Sequence, residues 1–116
     1  MAMTEAWRNL TVTEGASVIT HIGLVNGSGV EISGGTPAYA RKAVTWGTAS
    51  GGIIRPTADL TFDIPAGATV AGWRGYSAAT GGTNYGGEDL TQETYAGQGT
   101  YKLLAANTGI KILDPS

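Results

Sequence analysis

The sequence predicts an all-β protein, a sandwich or a barrel, with a short helix at its N-terminus, and three observations carry that expectation. Glycine-rich breaks recur at short intervals: "NGSG" at 26–29, "SGG" at 33–35 and 50–52, "PAG" at 65–67, "TGG" at 80–82, "YGG" at 85–87, "GQG" at 97–99 and "NTG" at 107–109. Such closely spaced turn signals separate short strands. Segments between the breaks alternate apolar and polar residues with the period of a strand. The chain has 116 residues, enough to bury one core and too few for two, so residues 1–116 read as a single domain.

Each element follows from its own residues. Thr4 ahead of Glu5 and Ala6 can open a helix, with Trp7 and Leu10 three apart on one face. Thr11, Val12 and Thr13 are β-branched and predict that this helix frays early; residues 1–16 are expected to form a docking segment. Ser17 to Val25 reads as the first strand, with Val18, Thr20, Ile22 and Leu24 on one side and Ile19, His21 and Val25 on the other. A strand over 39–47 would place Val44 and Trp46 on a shared face. Asp59 to Ile64 alternates most clearly, turning Leu60, Phe62 and Ile64 inward and the carboxylates to water, and Pro65 sits where its missing N–H does least harm. Further strands are predicted at 68–76, 100–104 and 109–113, the last with Ile110 and Ile112 flanking Lys111. The stretch "GWRGYSAATGGTNYGGEDL" at 72–90 reads as a strand followed by paired turns.

Composition narrows the function classes. Charged residues make up 14% of the chain and the formal net charge is -2, without the basic excess that nucleic-acid binding requires. The hydrophobic content of 41% is too high for a disordered segment, and no run approaches the roughly 20 apolar residues that span a bilayer. The expected protein is soluble, with no membrane partner. Cys is absent, which removes disulfides, thiolate metal sites and cysteine nucleophiles together. Glu5 and Arg8 precede any apolar stretch, unlike a secretory signal, so synthesis in the cytoplasm is expected.

The search for reactive groups predicts no enzyme, cofactor or metal site. His21 is the sole histidine; lying in a predicted strand without a G-x-S-x-G elbow, it reads as structural. Glu88, Asp89 and Glu93 lack the regular oxygen spacing of a calcium loop and read as a solvated acidic turn. "GGTNYGG" lacks the lysine and the strand-to-helix setting of a phosphate cradle. Trp46, Trp73, Tyr76 and Tyr85, with Arg74, could form a stacking platform for sugars or bases. The simpler reading puts the strand tryptophans in the core and leaves Tyr76 and Tyr85 at a rim. Alternation separates Trp73 from Arg74 and Tyr76.

At "THIGLVNGSGVEISGGTPAYARKAVTWGTASGG", "LTFDIPAGATVAGWRGYSAATGG" and "YAGQGTYKL", the chain resembles a family of small tailed-bacteriophage virion proteins over nearly its whole length, from about residue 4 to 113. The shared pattern is a short helix, a strand ending near T-H-I-x-L, a variable loop, the segment "EISGGTPAYAR", then "F-D-x-P-A-G-x-T-V" and "A-A-T-G-G". Family members are described as capsid decoration (minor capsid) proteins, minor tail proteins or tail-fibre components. The resemblance implies a jelly-roll-like β-sandwich on a virion, and the short loop at 25–30 departs from the family pattern. The leading expectation is a homotrimeric decoration protein bound to the major capsid protein. Docking is assigned to Trp7 and Leu10, with Arg41, Lys42 and Arg74 meeting acidic shell surface. The alternative is a tail module that binds a glycan or host receptor through Trp73, Tyr76 and Tyr85.

Overall fold

The computed structural model describes residues 4–105 and 108–111. It is mostly β, with one N-terminal helix and antiparallel sheets.

Helix α1 spans Glu5–Ser17. Thr4 caps it, its hydroxyl accepting from the Trp7 N–H at 3.2 Å, and Glu5 complements the positive end of the helix dipole. The helix does not fray at Thr11–Thr13, contrary to the expectation from β-branching. Thr11 and Thr13 donate their hydroxyls to the carbonyls of Trp7 and Asn9 at 2.9 and 2.7 Å, while Val12 and Ala16 are buried against Ile54. Helix propensities differ by no more than about 0.7 kcal/mol per ordinary residue, and burying the Val12 side chain outweighs that. The extra turn delays the first strand, which begins at His21 rather than Ser17.

The strands are β1 (His21–Val25), β2 (Lys42–Ala43), β3 (Ile53–Ile54), β4 (Leu60–Ile64), β5 (Thr69–Tyr76), β6 (Asn84–Thr94), β7 (Gly99–Leu103) and β8 (Ile110–Lys111). They form a four-stranded sheet in the order β2-β1-β5-β6 and two two-stranded sheets, β3-β8 and β4-β7. The main core joins Ile22, Leu24, Val70 and Trp73 of the first sheet to Phe62, Ile64 and Leu103 of the β4-β7 pair. Period-two alternation makes this possible: Phe62 faces Tyr101 and Leu60 faces Leu103 across the β4-β7 ladder, so each strand turns one apolar row to the core. The radius of gyration is 15.0 Å, against about 13 Å for a compact chain of this length, in keeping with extents of 49 × 24 × 22 Å.

Three expectations need correction. The strand expected over 39–47 is reduced to β2, and Trp46 instead bridges Pro56 and donates its indole N–H to the Ile19 carbonyl at 2.9 Å. Strand β3, which the sequence reading does not anticipate, is held by α1 and β8. The acidic "turn" at 88–93 lies within β6, an edge strand of 11 residues paired to β5. Its polar and glycine-rich composition conceals it, because an edge strand exposed on both faces has no apolar row to alternate. The strand predicted at 109–113 is present as β8, while Ile112 and Leu113 fall outside the described residues.

Candidate functional site

A polar clamp organises one edge of the four-stranded sheet. β2 covers only the start of β1, so beyond Ile22 the edge of β1 needs other partners. Glu31–Ile32 supplies part of this, through a Val25–Glu31 bridge and an Ile32 N–H to Leu24 carbonyl bond of 3.1 Å. Tyr39 supplies the rest: its hydroxyl accepts from the Leu24 N–H and donates to Glu31 Oε2, both at 2.8 Å. Its ring stacks on Phe62 with centroids 6.2 Å apart. One side chain thus ties the sheet edge to the core.

Arg41 completes the clamp. Nε and Nη2 each donate to a Glu31 carboxylate oxygen at 2.9 Å, a two-point grip, and Nη1 donates to the carbonyls of Ala78 and Gly81 at 3.0 and 2.8 Å. Beneath it lies the Tyr76 ring, its centre 3.5 Å from the guanidinium carbon. The site accounts for two motifs at once: "EISGGTPAYAR" at 31–41 provides Glu31, Tyr39 and Arg41, and "AATGG" at 78–82 provides the two carbonyls. Gly23 fits beneath because a Cβ there would stand 2.7 Å from both Glu31 Oε2 and the Tyr39 hydroxyl.

Electrostatics follow the packing. Burial pushes the Tyr39 hydroxyl well above its ordinary value, the Leu24 N–H opposes that shift, and Glu31 adds to it. Tyr76 is raised chiefly by burial, and the hydrogen bonds to Glu31 hold the Arg41 guanidinium further toward its charged form. With carboxylate, phenol and guanidinium bonded to one another and to the backbone, the cluster has the character of a structural staple.

The expected docking residues divide into groups. Arg41 and Tyr76 come together inside the clamp; with its side chain 10% exposed, Arg41 is committed within the fold, and Tyr76 is buried rather than at a rim. Arg74 lies over Gly72 on β5, bonding the Trp73 carbonyl at 2.8 Å, the Glu88 carbonyl at 3.3 Å and Asp89 Oδ1 at 3.4 Å. Asp89 is almost fully exposed, so that ion pair contributes little. Lys42 pairs with Ile22 at the β2 edge. Trp7 and Leu10 remain outside, 42% and 61% exposed. Sequence reasoning misses Glu31 and Tyr39 as partners of Arg41, although all three stand in one short motif; spacing alone does not reveal that the chain doubles back.

A second feature is a cavity of about 210 Å³ beside β6, walled by Trp73, Ile19, Ile110 and Tyr85. Tyr85 is 50% exposed at its rim. The β5-β6 ladder is irregular here, with the step from Arg74 to Tyr76 opposite the longer step from Gly87 to Asn84, a bulge that lifts Tyr85 out of register. Gly87 is required opposite: a Cβ there would overlap the Trp73 carbonyl oxygen.

Among the described residues no three His, Asp or Glu side chains gather as a metal site, and no helix is long and apolar enough to cross a membrane. His21 is partly exposed, its Nδ1 2.9 Å from the Thr20 hydroxyl. Comparison with known proteins finds no family model, curated protein or solved structure that matches the chain.

Proposed function

We propose that this protein is a non-enzymatic structural component of a tailed-bacteriophage virion, a capsid decoration (minor capsid) protein that binds and stabilises the lattice of the major capsid protein. In this reading the sheets form a jelly-roll-like β-sandwich and three copies assemble around a local three-fold axis of the shell.

The observation that carries the proposal is the outer face of α1. At about 100° per residue, Trp7 points about 180° from Ala16 and about 140° from Val12, the two residues that bury the helix against the body. Leu10 follows Trp7 by one turn on the outer side. Trp7 and Leu10 are two large apolar side chains exposed side by side, a patch that a partner can cover, and in this reading a lattice subunit of a shell supplies the cover. Burial of about 800 Å² per partner gives a stable contact, and repetition over the shell adds avidity. The well-tied clamp supports the same reading, because a protein that resists outward pressure gains from rigid loops.

The test mixes purified protein with expanded shells assembled without it. Stoichiometric binding by the wild type, lost in a Trp7→Ser/Leu10→Ser variant that keeps its thermal stability, is the expected result; no binding by the wild type rules the reading out. A second reading, a tail module that binds a glycan or host receptor, is favoured by Tyr85 at the cavity rim. Copy number in intact particles separates the two: hundreds for the shell, a handful for the tail.

A further inference from the structure

Asn26 opens the loop that leads from β1 to Glu31, and Gly27 follows it. The Asn26 side-chain oxygen accepts two backbone N–H groups, from Ser28 at 2.9 Å and from Val30 at 3.1 Å. Its backbone is tied as well: the Asn26 N–H donates to the Val30 carbonyl and the Asn26 carbonyl accepts from Gly29, both at 2.9 Å. Among the described residues, neither the side-chain nitrogen of Asn26 nor the backbone N–H of Gly27 has a hydrogen-bond partner. Gly27, Ser28 and Gly29 are exposed, so water reaches the loop.

One reaction uses this arrangement. Asparagine is a chemically labile residue, because the backbone nitrogen that follows it can attack its Cγ and close a succinimide. Donors aimed at the amide oxygen stabilise the negative charge that develops there during attack, and Ser28 and Val30 supply two. The bond to Ser28 folds the Asn26 side chain back over the next peptide as an Asx-turn, closing a ring that contains both Cγ of Asn26 and the Gly27 nitrogen. That nitrogen has no hydrogen bond to give up, and glycine brings no Cβ to crowd the attack. Nδ2, which must leave, is equally unbound.

The other described asparagines set the contrast. Asn84 makes the same kind of turn, its Oδ1 accepting from the Gly86 N–H at 2.8 Å, but Tyr85 follows it. Asn9 lies within α1, where its oxygen accepts from the Gly52 N–H at 2.7 Å and Leu10 follows it. Only at Asn26 do an oxygen held by two donors and a following glycine coincide.

We infer that Asn26 is a self-modification site. The Gly27 nitrogen loses its proton to solvent base and bonds to Asn26 Cγ; the Cγ–Nδ2 bond breaks and Nδ2 leaves as ammonia, taking a proton from solvent. Water then opens the succinimide to aspartate or isoaspartate, with no change of oxidation state. Either product adds one negative charge to the loop. Aspartate keeps the two N–H groups, now bonded to a carboxylate. Isoaspartate routes the backbone through Cβ and Cγ and turns the carbonyl that Gly29 bonds into a free carboxylate, on the stretch that carries Glu31 into the clamp.

The test incubates the intact folded protein at neutral and at mildly alkaline pH and follows each asparagine by peptide mapping, with fragmentation that separates aspartate from isoaspartate. A synthetic peptide of residues 22–32 is the unstructured reference. Asn26 converts at least as fast in the protein as in the peptide, faster at the higher pH, and at least about tenfold faster than Asn84. Gly27→Ala slows conversion at least about tenfold. Its methyl meets only the end of the flexible Gln92 side chain, at 3.1 Å, and thermal unfolding checks that the variant is folded. Slower conversion in the protein than in the peptide, equal rates at Asn26 and Asn84, or a folded Gly27→Ala variant that converts like the wild type overturns the inference. Shell binding is read separately through Trp7 and Leu10, so neither result decides the other.

Discussion

The Arg41 guanidinium lies 3.5 Å above the centre of the Tyr76 ring while it grips both oxygens of Glu31. Ring, guanidinium and carboxylate join separate stretches of chain, and the clamp's geometry sets a first prediction. Arg41→Met leaves the Glu31 carboxylate and two carbonyls without their donor, and costs about 3 kcal/mol in urea unfolding. Arg41→Lys recovers only part of this, because an ammonium cannot make the two-point grip or lie flat on the ring. Equal stability of the Lys variant and the wild type would count against the clamp.

Tyr39 offers a cleaner deletion. Tyr39→Phe keeps the stack on Phe62 but removes the acceptor for the Leu24 N–H and the donor to Glu31. The expected loss is about 1–3 kcal/mol, with faster amide exchange at Leu24 as a local reporter.

Alkaline stability depends on the same residues. Tyr39 and Tyr76 are both raised in the folded state, so the protonated phenols are favoured there. Their contribution is full below the unfolded tyrosine value of about 10 and is lost as pH rises above it. The midpoint of unfolding should hold steady from neutral pH upward and fall beyond about pH 10, with a shallower fall in Tyr39→Phe. The tyrosinate absorbance that the wild type shows in excess of Tyr39→Phe should rise together with unfolding, and not before it.

Gly87→Ala tests the β5-β6 ladder. The new methyl overlaps the Trp73 carbonyl oxygen, and backbone cannot yield as a flexible side chain can. Loss of order along β6, read by amide exchange, is expected at a cost of about 2 kcal/mol. Gly15→Ala is the control: its Cβ meets open space, and in a helix it should stabilise slightly.

Much of this protein is legible in its residues because local rules write it. Thr4 marks the helix start, Leu60, Phe62 and Ile64 declare their face by alternation, and Trp73 is placed in the core by its neighbours in β5. Parity along the strand also separates Trp73 from Tyr76.

Other features arise only on folding, through contacts between residues distant in the chain. Ile54 extends α1 past its β-branched residues, β5 makes a strand of the polar segment 84–94, and Tyr76 receives Arg41 from a remote segment. The cavity is likewise a product of assembly, since Ile19, Trp73, Tyr85 and Ile110 come from separate segments. Periodicity fixes which way a side chain faces along its own strand; what it faces is decided by long-range packing, which no local pattern encodes.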